Sequence, residues 1–461
     1  MPRPIPRRVR RSLVAATALG LAAAAALGPL GASGPASAAD RTPFVLVGTS
    51  DVFDSGLVQN VLEPGFEQAY PQYDLQYVSK GTGAAIAFAR AGTADAMIVH
   101  AASLENQFVG DGYSLERYGR ATFWGDYVLL GPQDDPAGVL DGAPRDIATA
   151  FERIAAAGAQ GKANFVSRGG TPGTTVQEHA IWALTSPGES LTTCTVSAKD
   201  GGGSSPSTAS GACSNPISYP SWYHATGLTQ GPNVLNGSVC NYDGGGCYVF
   251  TDRGTFAYLQ STGQAQNLQI VTRDNSPDAR GGQPLLVNSF HAYAVNPAKF
   301  ADTPNVSLNT PAARAFLDWV TSSDVQTRIG GYLADRGAPF LPSAAPRITG
   351  APTRKIVDRG ASVGLRGTLA NVVPGTPVLA GVKVRIYAVK PDEIPARPRA
   401  VGTATTNRLG QWSFAVRPSA TTFYLAGTLR LNEIVDERLD PPFGDILVGG
   451  SKRLGTVKVR R

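Results

Sequence analysis

The chain has 461 residues, of which 42% are apolar and 16% are charged. This length suits two or three domains, and the composition excludes a disordered protein. The formal net charge of +6 is unevenly distributed, because residues 40–345 carry a net −10 and residues 346–461 a net +11. An acidic body followed by a basic tail argues against a nucleic-acid groove along the whole chain.

The first residues predict an export signal. An arginine-rich start precedes an apolar run from Leu13 to about Leu30 and small residues up to Ala39. This pattern predicts a cleaved signal peptide over 1–39, of the general or the twin-arginine type, and a membrane anchor is the less favoured alternative. No cysteine precedes Cys194, and no later stretch approaches ~20 uninterrupted apolar residues. We therefore expect a secreted protein, extracellular or periplasmic, without a lipid anchor or transmembrane segment.

Short β-branched runs then alternate with stretches of helical spacing. This alternation predicts a doubly wound α/β fold with a parallel sheet. The predicted strands are 44–47, 75–78, 96–99, 127–130 and 164–166, and the predicted helices are 55–70, 83–91, 147–157, 174–184 and 311–329.

A Gly/Ser-rich stretch over 186–247 interrupts the alternation and is predicted to be an inserted surface excursion. It contains all the cysteines of the chain, Cys194, Cys213, Cys240 and Cys247. Four cysteines in an exported protein predict two disulfides. Three pairings are open, and Cys194–Cys213 with Cys240–Cys247 is favoured because both close short loops. Zinc is less favoured because the spacing is unusual for it, and we expect neither a metal nor a cofactor.

The last part of the chain differs in pattern. A Pro/Ala-rich linker at 342–352 is followed by short strand-like runs separated by turns, without helical periodicity. Residues 346–461 are therefore predicted to form an all-β sandwich that is Ig-like in the broad sense.

Several motifs of the acidic body resemble a known family. Gly48-Thr49-Ser50, Lys80-Gly81-Thr82-Gly83-Ala84 and Phe165-Val166-Ser167-Arg168-Gly169, with five further motifs in order, resemble substrate-binding proteins of tungstate ABC transporters over about 43–340. The resemblance implies a periplasmic-binding-protein type II fold for residues 40–345. Lobe 1 would comprise about 43–130 and 288–342, and lobe 2 about 131–287. The hinges would lie in Gly131–Gly138 and Gly281–Asn288.

The same motifs predict an anion site from their chemistry alone. Each combines Gly with Ser or Thr where a strand passes into a helix, and helix N-termini offer unpaired N–H groups with a partial positive charge. Arg168 adds a full charge with a forked geometry. The predicted oxyanion ligands are Thr49, Ser50, Thr82, Gly83, Ser167, Arg168, Gly173 and Thr174. The alternative is that the hydroxyls only cap helices. The histidines are interpreted as surface or internally paired residues.

One departure from the family bears on the ligand. The second-lobe loop of the family usually reads Ser-Arg-Gly-Asp-Asp-Ser-Gly-Thr, whereas here Gly170-Thr171-Pro172 replaces the acidic residues and the last Ser. Phosphate keeps a proton near neutral pH and rewards an acceptor in its site, whereas tungstate, molybdate and sulfate need donors only. The loss of acceptors therefore favours the second group.

These observations lead to a hypothesis about function. The favoured one is a secreted solute-binding protein that captures a small inorganic oxyanion, tungstate or molybdate first, for an ABC permease. The alternatives are a phosphate-binding protein of the same fold and a wall-associated module whose basic tail contacts anionic cell-wall polymer. No catalytic spacing indicates an enzyme. The tail is expected to be dispensable for binding, unless it packs on the acidic body and helps to hold it closed.

Overall fold

The computed structural model describes residues 41–186, 191–196, 203–208, 213–214, 216–391, 393, 395, 397–436 and 443–460. The predicted signal peptide, 1–39, lies outside these residues. Among the described residues, no helix is long and apolar enough to cross a membrane.

Strands and helices alternate through the body, and strands alone follow it. The strands of the body are β1 Thr42–Thr49, β2 Tyr73–Lys80, β3 Ala96–Val99, β4 Gly119–Pro132, β5 Ala163–Ser167, β6 Thr192–Val196, β7 Gly203–Ser207, β8 Tyr223–Ala225, β9 Gly246–Asp252, β10 Leu268–Thr272, β11 Val287–Ala294 and β12 Leu341–Pro342. The helices are α1 Ser50–Asp54, α2 Glu63–Ala69, α3 Thr82–Arg90, α4 Ala102–Gly110, α5 Val139–Gly142, α6 Ile147–Ala159, α7 Gly173–Trp182, α8 Gln230–Val239, α9 Arg253–Ser261, α10 Thr310–Val320 and α11 Ser323–Gly331. A π-helical turn, Val58–Leu62, and 3₁₀ turns at Gln283–Leu286, Pro297–Phe300 and Ala334–Arg336 complete the helical segments.

A mixed sheet runs through the body in the order β2-β1-β3-β11-β4-β9-β5-β8. β1 pairs in parallel with β2 and β3, whereas β11 and β4 run antiparallel to their neighbours. The prediction of an all-parallel sheet is therefore wrong. β4 runs through both lobes, and β11 begins directly after the chain returns to lobe 1. These connections between lobes are long-range, and local sequence does not report them.

The sheet divides into two lobes within β4. Up to Asp126 this strand pairs with β11, and from Tyr127 it pairs with β9. Each side has its own apolar core, one around Phe66 and Phe316 and the other around Phe151 and Trp182. The first crossing therefore lies at 126–127, earlier than the predicted hinge Gly131–Gly138. The return crossing at Leu286–Val287 falls inside the predicted Gly281–Asn288.

The stretch 186–247 is only partly a surface excursion. β6 and β7 pair as a separate hairpin, but β8 joins the lobe 2 sheet next to β5. Tyr223 and Val234 are buried in the lobe 2 cores. The prediction of an inserted surface segment is therefore wrong for the part that contains β8 and α8. This part is mostly polar in sequence, so its few buried apolar residues did not form a recognisable pattern.

Both favoured disulfides are present. Cys194 is bonded to Cys213, and Cys240 to Cys247. The second bridge joins the end of α8 to the start of β9, across a sequence separation of 7. The pairing prediction is confirmed.

Removing the Cys240–Cys247 bridge should destabilise lobe 2. In the chain-entropy model a short closed loop contributes about 2–3 kcal/mol, because the bridge restricts the unfolded chain. We expect Cys240→Ser with Cys247→Ser to lower the free energy of unfolding by that amount in urea titration. Mass spectrometry of the exported wild type should show no free thiol. Four free thiols, or an unchanged urea midpoint in the variant, would contradict the prediction.

Most C-terminal strands form two sheets around one core, whereas two of them join the sheet of the body. These strands are β13 Arg347–Ile348, β14 Ala351–Pro352, β15 Ile356–Asp358, β16 Val363–Ala370, β17 Lys383–Val389, β18 Arg399–Thr405, β19 Gln411–Val416, β20 Thr422–Gly427, β21 Leu431–Asp436, β22 Phe443–Leu447 and β23 Ser451–Arg460. β13, β14, β16 and β19 form one sheet, and the order of the other is β15-β23-β20-β17-β18. Leu365 and Trp412 from the first sheet share a core with Ile386 and Val457 from the second. An all-β C-terminal region is thus present, while its likeness to Ig domains stays a prediction.

Candidate functional site

Three helices begin where the two lobes meet. α1 begins directly after β1, and α3 follows β2 after one residue. α7 begins a short loop after β5. The first N–H groups of a helix have no partner inside it and carry a partial positive charge. The residues before the three helices, Thr49, Gly81 and Pro172, have extended backbone, and none of their side chains caps the helix that follows.

The helix starts from opposite lobes contact one another. Gly81, just before α3, faces Pro172, just before α7, so closely that a Cβ on Gly81 would lie 3.4 Å from the proline Cα. Asp54 of α1 accepts a hydrogen bond from the backbone N–H of Gly231 in α8 at 2.8 Å. The lobes are therefore closed on each other at the predicted site, and Pro172, the departure from the family loop, is part of the closing contact.

Arg168 crosses between the lobes. Its Nη2 donates to Ser50 Oγ in lobe 1 at 3.1 Å, while Nη1 donates to Gln230 Oε1 in lobe 2 at 2.7 Å. Nε donates to the Leu228 carbonyl at 3.3 Å. The guanidinium is 6% exposed, and burial lowers its pKa although Asp51 and other nearby carboxylates oppose the shift. It thus places a positive charge between the lobes.

Gln230 holds the second-lobe residues in position. Its Oε1 accepts from Arg168 and from Thr174 Oγ1, the latter at 3.0 Å, and its Nε2 donates to Thr251 Oγ1 at 2.7 Å. Gln230 is buried at the start of α8. The predicted residues Arg168 and Thr174 are therefore brought together by a side chain that the sequence analysis did not identify.

Two predicted hydroxyls are buried without a partner. Within the described residues, Thr82 Oγ1 has no accessible surface and makes no hydrogen bond. Thr49 Oγ1 is also buried without a hydrogen bond of good geometry, and its neighbour is Asp51. An unsatisfied buried hydroxyl costs about 1–3 kcal/mol, so such groups call for a specific explanation. Simple helix capping does not explain them, because neither side chain caps its helix.

The two predicted glycines have different surroundings. Gly173 begins α7 against the His100 ring, and a Cβ there would overlap the imidazole. Only glycine brings the backbone of α7 this near to lobe 1. Gly83 lies in the first turn of α3, and a Cβ there would meet only Leu104, at 4.0 Å. The requirement for glycine is therefore strict at Gly173 and loose at Gly83.

Ser167 lies behind the loop. Its Oγ donates to Glu178 Oε2 at 2.6 Å and accepts from the Gly169 N–H at 3.1 Å. Glu178 also accepts from Tyr223 Oη and Trp182 Nε1 inside lobe 2, and burial raises its pKa to about 7. The Ser167 hydroxyl therefore supports the Arg168 loop, and its role as an anion ligand stays a prediction.

His100 forms a polar network across the base of the site. Its Nε2 lies 3.0 Å from Asp51 Oδ2, and its Nδ1 lies 3.0 Å from Tyr127 Oη. Asn288 Nδ2 donates to the same Asp51 oxygen at 3.2 Å. Burial alone would lower the pKa of His100, but the Asp51 carboxylate raises it above its usual value. Burial would raise the pKa of Asp51, yet the charge of His100 holds it below its usual value. The two groups form a buried ion pair.

His100 is an internally paired residue, as the sequence analysis allowed. Its position directly after β3 also places it at the candidate site. β1 and β3 are parallel neighbours, so the residues after them, Asp51 and His100, meet at one sheet edge. The carboxyl ends of neighbouring parallel strands are where ligands bind in α/β sheets. That rule could have identified His100 from the sequence.

The remaining carboxylates near Arg168 also have donors. Asp252 caps α9 and accepts from the N–H and Oγ1 of Thr255, at 2.8 and 2.7 Å. Burial, with the negative charges of Asp51 and Asp54, raises the pKa of Asp252 to about 7. The carboxylates around the site are thus engaged with protein donors, whereas the Thr82 hydroxyl and the first turns of α3 and α7 offer donors. The arrangement suits a small anion without a proton of its own.

Metal binding has no support in this geometry. Within the described ranges, no group of three or more His, Cys, Asp or Glu side chains is arranged to hold a metal ion.

Comparisons with known proteins agree with this geometry. A protein named an ABC transporter anion-binding protein, from Haloferax volcanii, is 32% identical over 301 residues, which is 65% of this chain and 72% of that protein. The tungstate-binding protein TupA of Peptoclostridium acidaminophilum is 29% identical over 73% of this chain and its own full length.

A solved structure is also similar in sequence. The tungstate-binding protein TupA from Desulfovibrio alaskensis G20 is 26% identical, with a TM-score of 0.45, over 65% of this chain and 98% of its own. The family model described as "PBP superfamily domain" matches residues 31–324. That match covers more than half of the chain and includes both lobes and all the predicted anion ligands, and the predicted two-lobed α/β fold is confirmed. The chain therefore belongs to the PBP (periplasmic-binding-protein) superfamily.

Proposed function

We propose that this protein captures a tetrahedral oxyanion, tungstate or molybdate first, between its two lobes outside the cytoplasm and delivers it to an ABC importer. The observation that carries the proposal is the buried, unpartnered hydroxyl of Thr82 at the start of α3. Thr82 follows Gly81, which contacts Pro172 just before α7. Relatives named as anion- and tungstate-binding proteins support the same ligand class.

The proton-free character of the anion follows from the acceptors. Asp51 is occupied by His100 and Asn288, and Asp54 by the Gly231 N–H. Asp252 accepts from Thr255. A protonated phosphate would need one of these carboxylates to accept its proton, and each already accepts a hydrogen bond from a protein donor, which leaves fewer lone pairs for the ligand. Tungstate and molybdate place no such demand.

Calorimetric titration tests the proposal. Purified protein, stripped of bound anion by dialysis, is titrated with tungstate, molybdate, sulfate and phosphate at matched ionic strength and pH. We expect tungstate and molybdate to bind more tightly than phosphate by at least tenfold, about 1.4 kcal/mol. Tighter binding of phosphate would favour the second candidate, a phosphate-binding protein, and absence of heat with every anion would refute the proposal.

The affinity should increase as the pH falls from 8 to 6. Asp252 has a pKa of about 7, so it loses its negative charge over this range and repels a bound anion less. Since this folded-state pKa exceeds the usual value of 3.8, the folded protein binds the extra proton between about pH 4 and 7, and stability falls as pH rises there. Asp252→Asn keeps the cap of α9. We expect it to bind several-fold more tightly than wild type at pH 8 and to lose most of the pH dependence in calorimetry. An unchanged pH profile in this variant would assign the dependence to another group, such as Glu178.

A further inference from the structure

The C-terminal region is attached to lobe 1 by strand pairing. β22 runs parallel to the first part of β4, with Asp445 opposite Gly119 and Ile446 opposite Arg120. Ile446 and Leu447 are buried. The Val448 N–H donates to the Ala344 carbonyl at 2.7 Å. The β21–β22 hairpin is therefore an edge strand of the body, although its sequence belongs to the basic tail.

A buried ion pair reinforces this attachment. His291 of β11 lies between two carboxylates, with Nε2 at 3.0 Å from Asp445 Oδ1 and Nδ1 at 2.8 Å from Glu105 Oε2. The Phe443 ring packs edge-on against the imidazole at 5.3 Å. Burial would lower the pKa of His291, but Asp445 and Glu105 raise it to about 10. The imidazole is thus charged at neutral pH, and loss of one partner of a buried ion pair is costly.

The same region touches lobe 2 through a different segment. The loop Val373–Thr376 is closed by a bond from Thr376 Oγ1 to the Val373 carbonyl at 2.7 Å. Gly375 has φ +81 and rests on Pro284, so that a Cβ on it would lie 2.8 Å from the proline Cβ. Pro284 is followed closely by Leu286, which is buried in the lobe 2 core. The C-terminal region therefore bridges the two lobes.

The bridge covers the space beside the candidate anion site. A cavity of about 310 Å³ is lined by His100, Gly173 and Asn288 of the body and by Val373, Phe443 and Asp445 of the C-terminal region. Its lining thus joins site residues of both lobes to the C-terminal hairpin and loop. Pro284 lies two residues before the return crossing at Leu286–Val287, so it would move little as the lobes separate. Val176 of α7 lines the same cavity as the loop Val373–Thr376, so separation of the lobes would draw α7 away from that loop.

We propose that the C-terminal β region is a clamp that holds the lobes closed over the anion, anchored on lobe 1 by the β21–β22 hairpin and resting on lobe 2 through the loop Val373–Thr376. The closure does not depend on the proposed function, whereas its effect on anion release does. The clamp slows opening, so it lengthens the time for which a captured anion stays bound.

Weakening the anchor should open the lobes. In full-length Asp445→Asn the His291 pair loses one charge, and we expect tungstate to leave about tenfold faster, measured as tungsten retained after rapid desalting. Spin labels are placed on cysteines at the exposed positions Gln72 in lobe 1 and Lys162 in lobe 2. In double electron–electron resonance, Asp445→Asn should show a longer and broader distribution of inter-lobe distances than wild type. Asp358→Asn, which removes an exposed carboxylate of β15, is the matched control and should behave as wild type.

Strengthening the contact with lobe 2 should have the opposite effect. In Gly375→Cys with Pro284→Cys the two Cβ atoms need a separation of about 3.8 Å, which the loop reaches by withdrawing about 1 Å from its present contact. The oxidised double variant should release tungstate at least tenfold more slowly than either single variant. Mild reductant should restore fast release, and wild type given the same reductant controls for the native disulfides. This variant also covers the case in which Asp445→Asn detaches the hairpin by local unfolding.

The outcomes separate the clamp from the proposed function. If wild type binds no tungstate in calorimetry, the proposed function fails, and the spin-label distances in ligand-free protein still decide on the clamp. Inter-lobe distances that are the same in wild type and Asp445→Asn would overturn the clamp. A cross-linked protein that releases bound tungstate as fast as the single variants would overturn it too.

Discussion

Replacing Arg168 by alanine should weaken anion binding by about 10- to 100-fold. A hydrogen bond to a charged group contributes about 1.5–3 kcal/mol, which corresponds to this range. The effect should lie toward the upper end, because Arg168 offsets the charges of Asp51, Asp54 and Asp252. Without the guanidinium these carboxylates repel the anion directly.

Two further variants isolate the cause. Arg168→Lys keeps the charge but cannot bond Ser50 and Gln230 at once, so it should recover only part of the affinity. Arg153→Ala removes an exposed arginine of the same lobe and should bind as wild type, which controls for net charge. Calorimetry with tungstate gives the three affinities. Equal affinity in Arg168→Ala and wild type would place Arg168 outside the site.

The elements with clean apolar periodicity could be predicted from the sequence. β3 and β5 are buried along their length, β1 is buried from Leu46 to its end, and α6 and α10 each present an apolar face to a core. The local apolar pattern of these strands and helices was sufficient to predict them, because it depends little on tertiary contacts.

β4 shows why the other elements were missed. Only its second half was predicted, because Arg120 interrupts the apolar pattern of the first half. Arg120 is nevertheless 6% exposed, since Glu116 and Asp318 pair with its guanidinium. Asp318 is 198 residues away in sequence, and no local pattern reports a partner at that distance. An apolar pattern therefore fails to predict a buried strand when the strand carries a charge whose partners are distant in sequence.

The candidate site divides in the same way. Arg168, Thr82 and Gly173 could be selected because a strand end, a glycine and a helix start are local signals. Gln230 and His100 were not selected. Gln230 acts through Arg168, 62 residues away in sequence. His100 directly follows β3 and pairs with Asp51 of α1, a contact that only the pairing of β1 with β3 reveals. What the sequence lacked was the set of contacts between lobes, which also includes Pro172 against Gly81.

The C-terminal hairpin is a similar case. The sequence analysis predicted no strand at Phe443–Leu447. The opposite net charges of the two regions were the only reason it gave for the tail to contact the body. The structure shows that the specific contact is an acidic residue of this basic region, Asp445, paired with His291. The opposite net charges thus correctly suggested that the tail contacts the body, but they did not indicate that an acidic residue of the tail makes the contact.

Replacing Thr82 by valine should change stability and binding in opposite directions. The Thr82 hydroxyl is buried and unpartnered within the described residues, so the ligand-free protein pays to desolvate it. Valine has nearly the same shape without the hydroxyl, and we expect it to raise the free energy of unfolding by about 1–2 kcal/mol. The same change removes a donor to the anion and should weaken tungstate binding by about tenfold or more.

Thr321→Val is the matched control. Thr321 is also a buried threonine, but it directly follows α10 in lobe 1, and its Oγ1 donates to the Leu317 carbonyl at 2.7 Å. Losing a satisfied bond should leave tungstate affinity unchanged and give no gain in stability. Urea titration without anion and calorimetry with tungstate measure both quantities for each variant. A hydroxyl kept only to cap a helix would make Thr82→Val less stable and leave binding intact. A gain in stability with a loss of affinity has one physical source, a polar group that the fold leaves unpaired for the ligand.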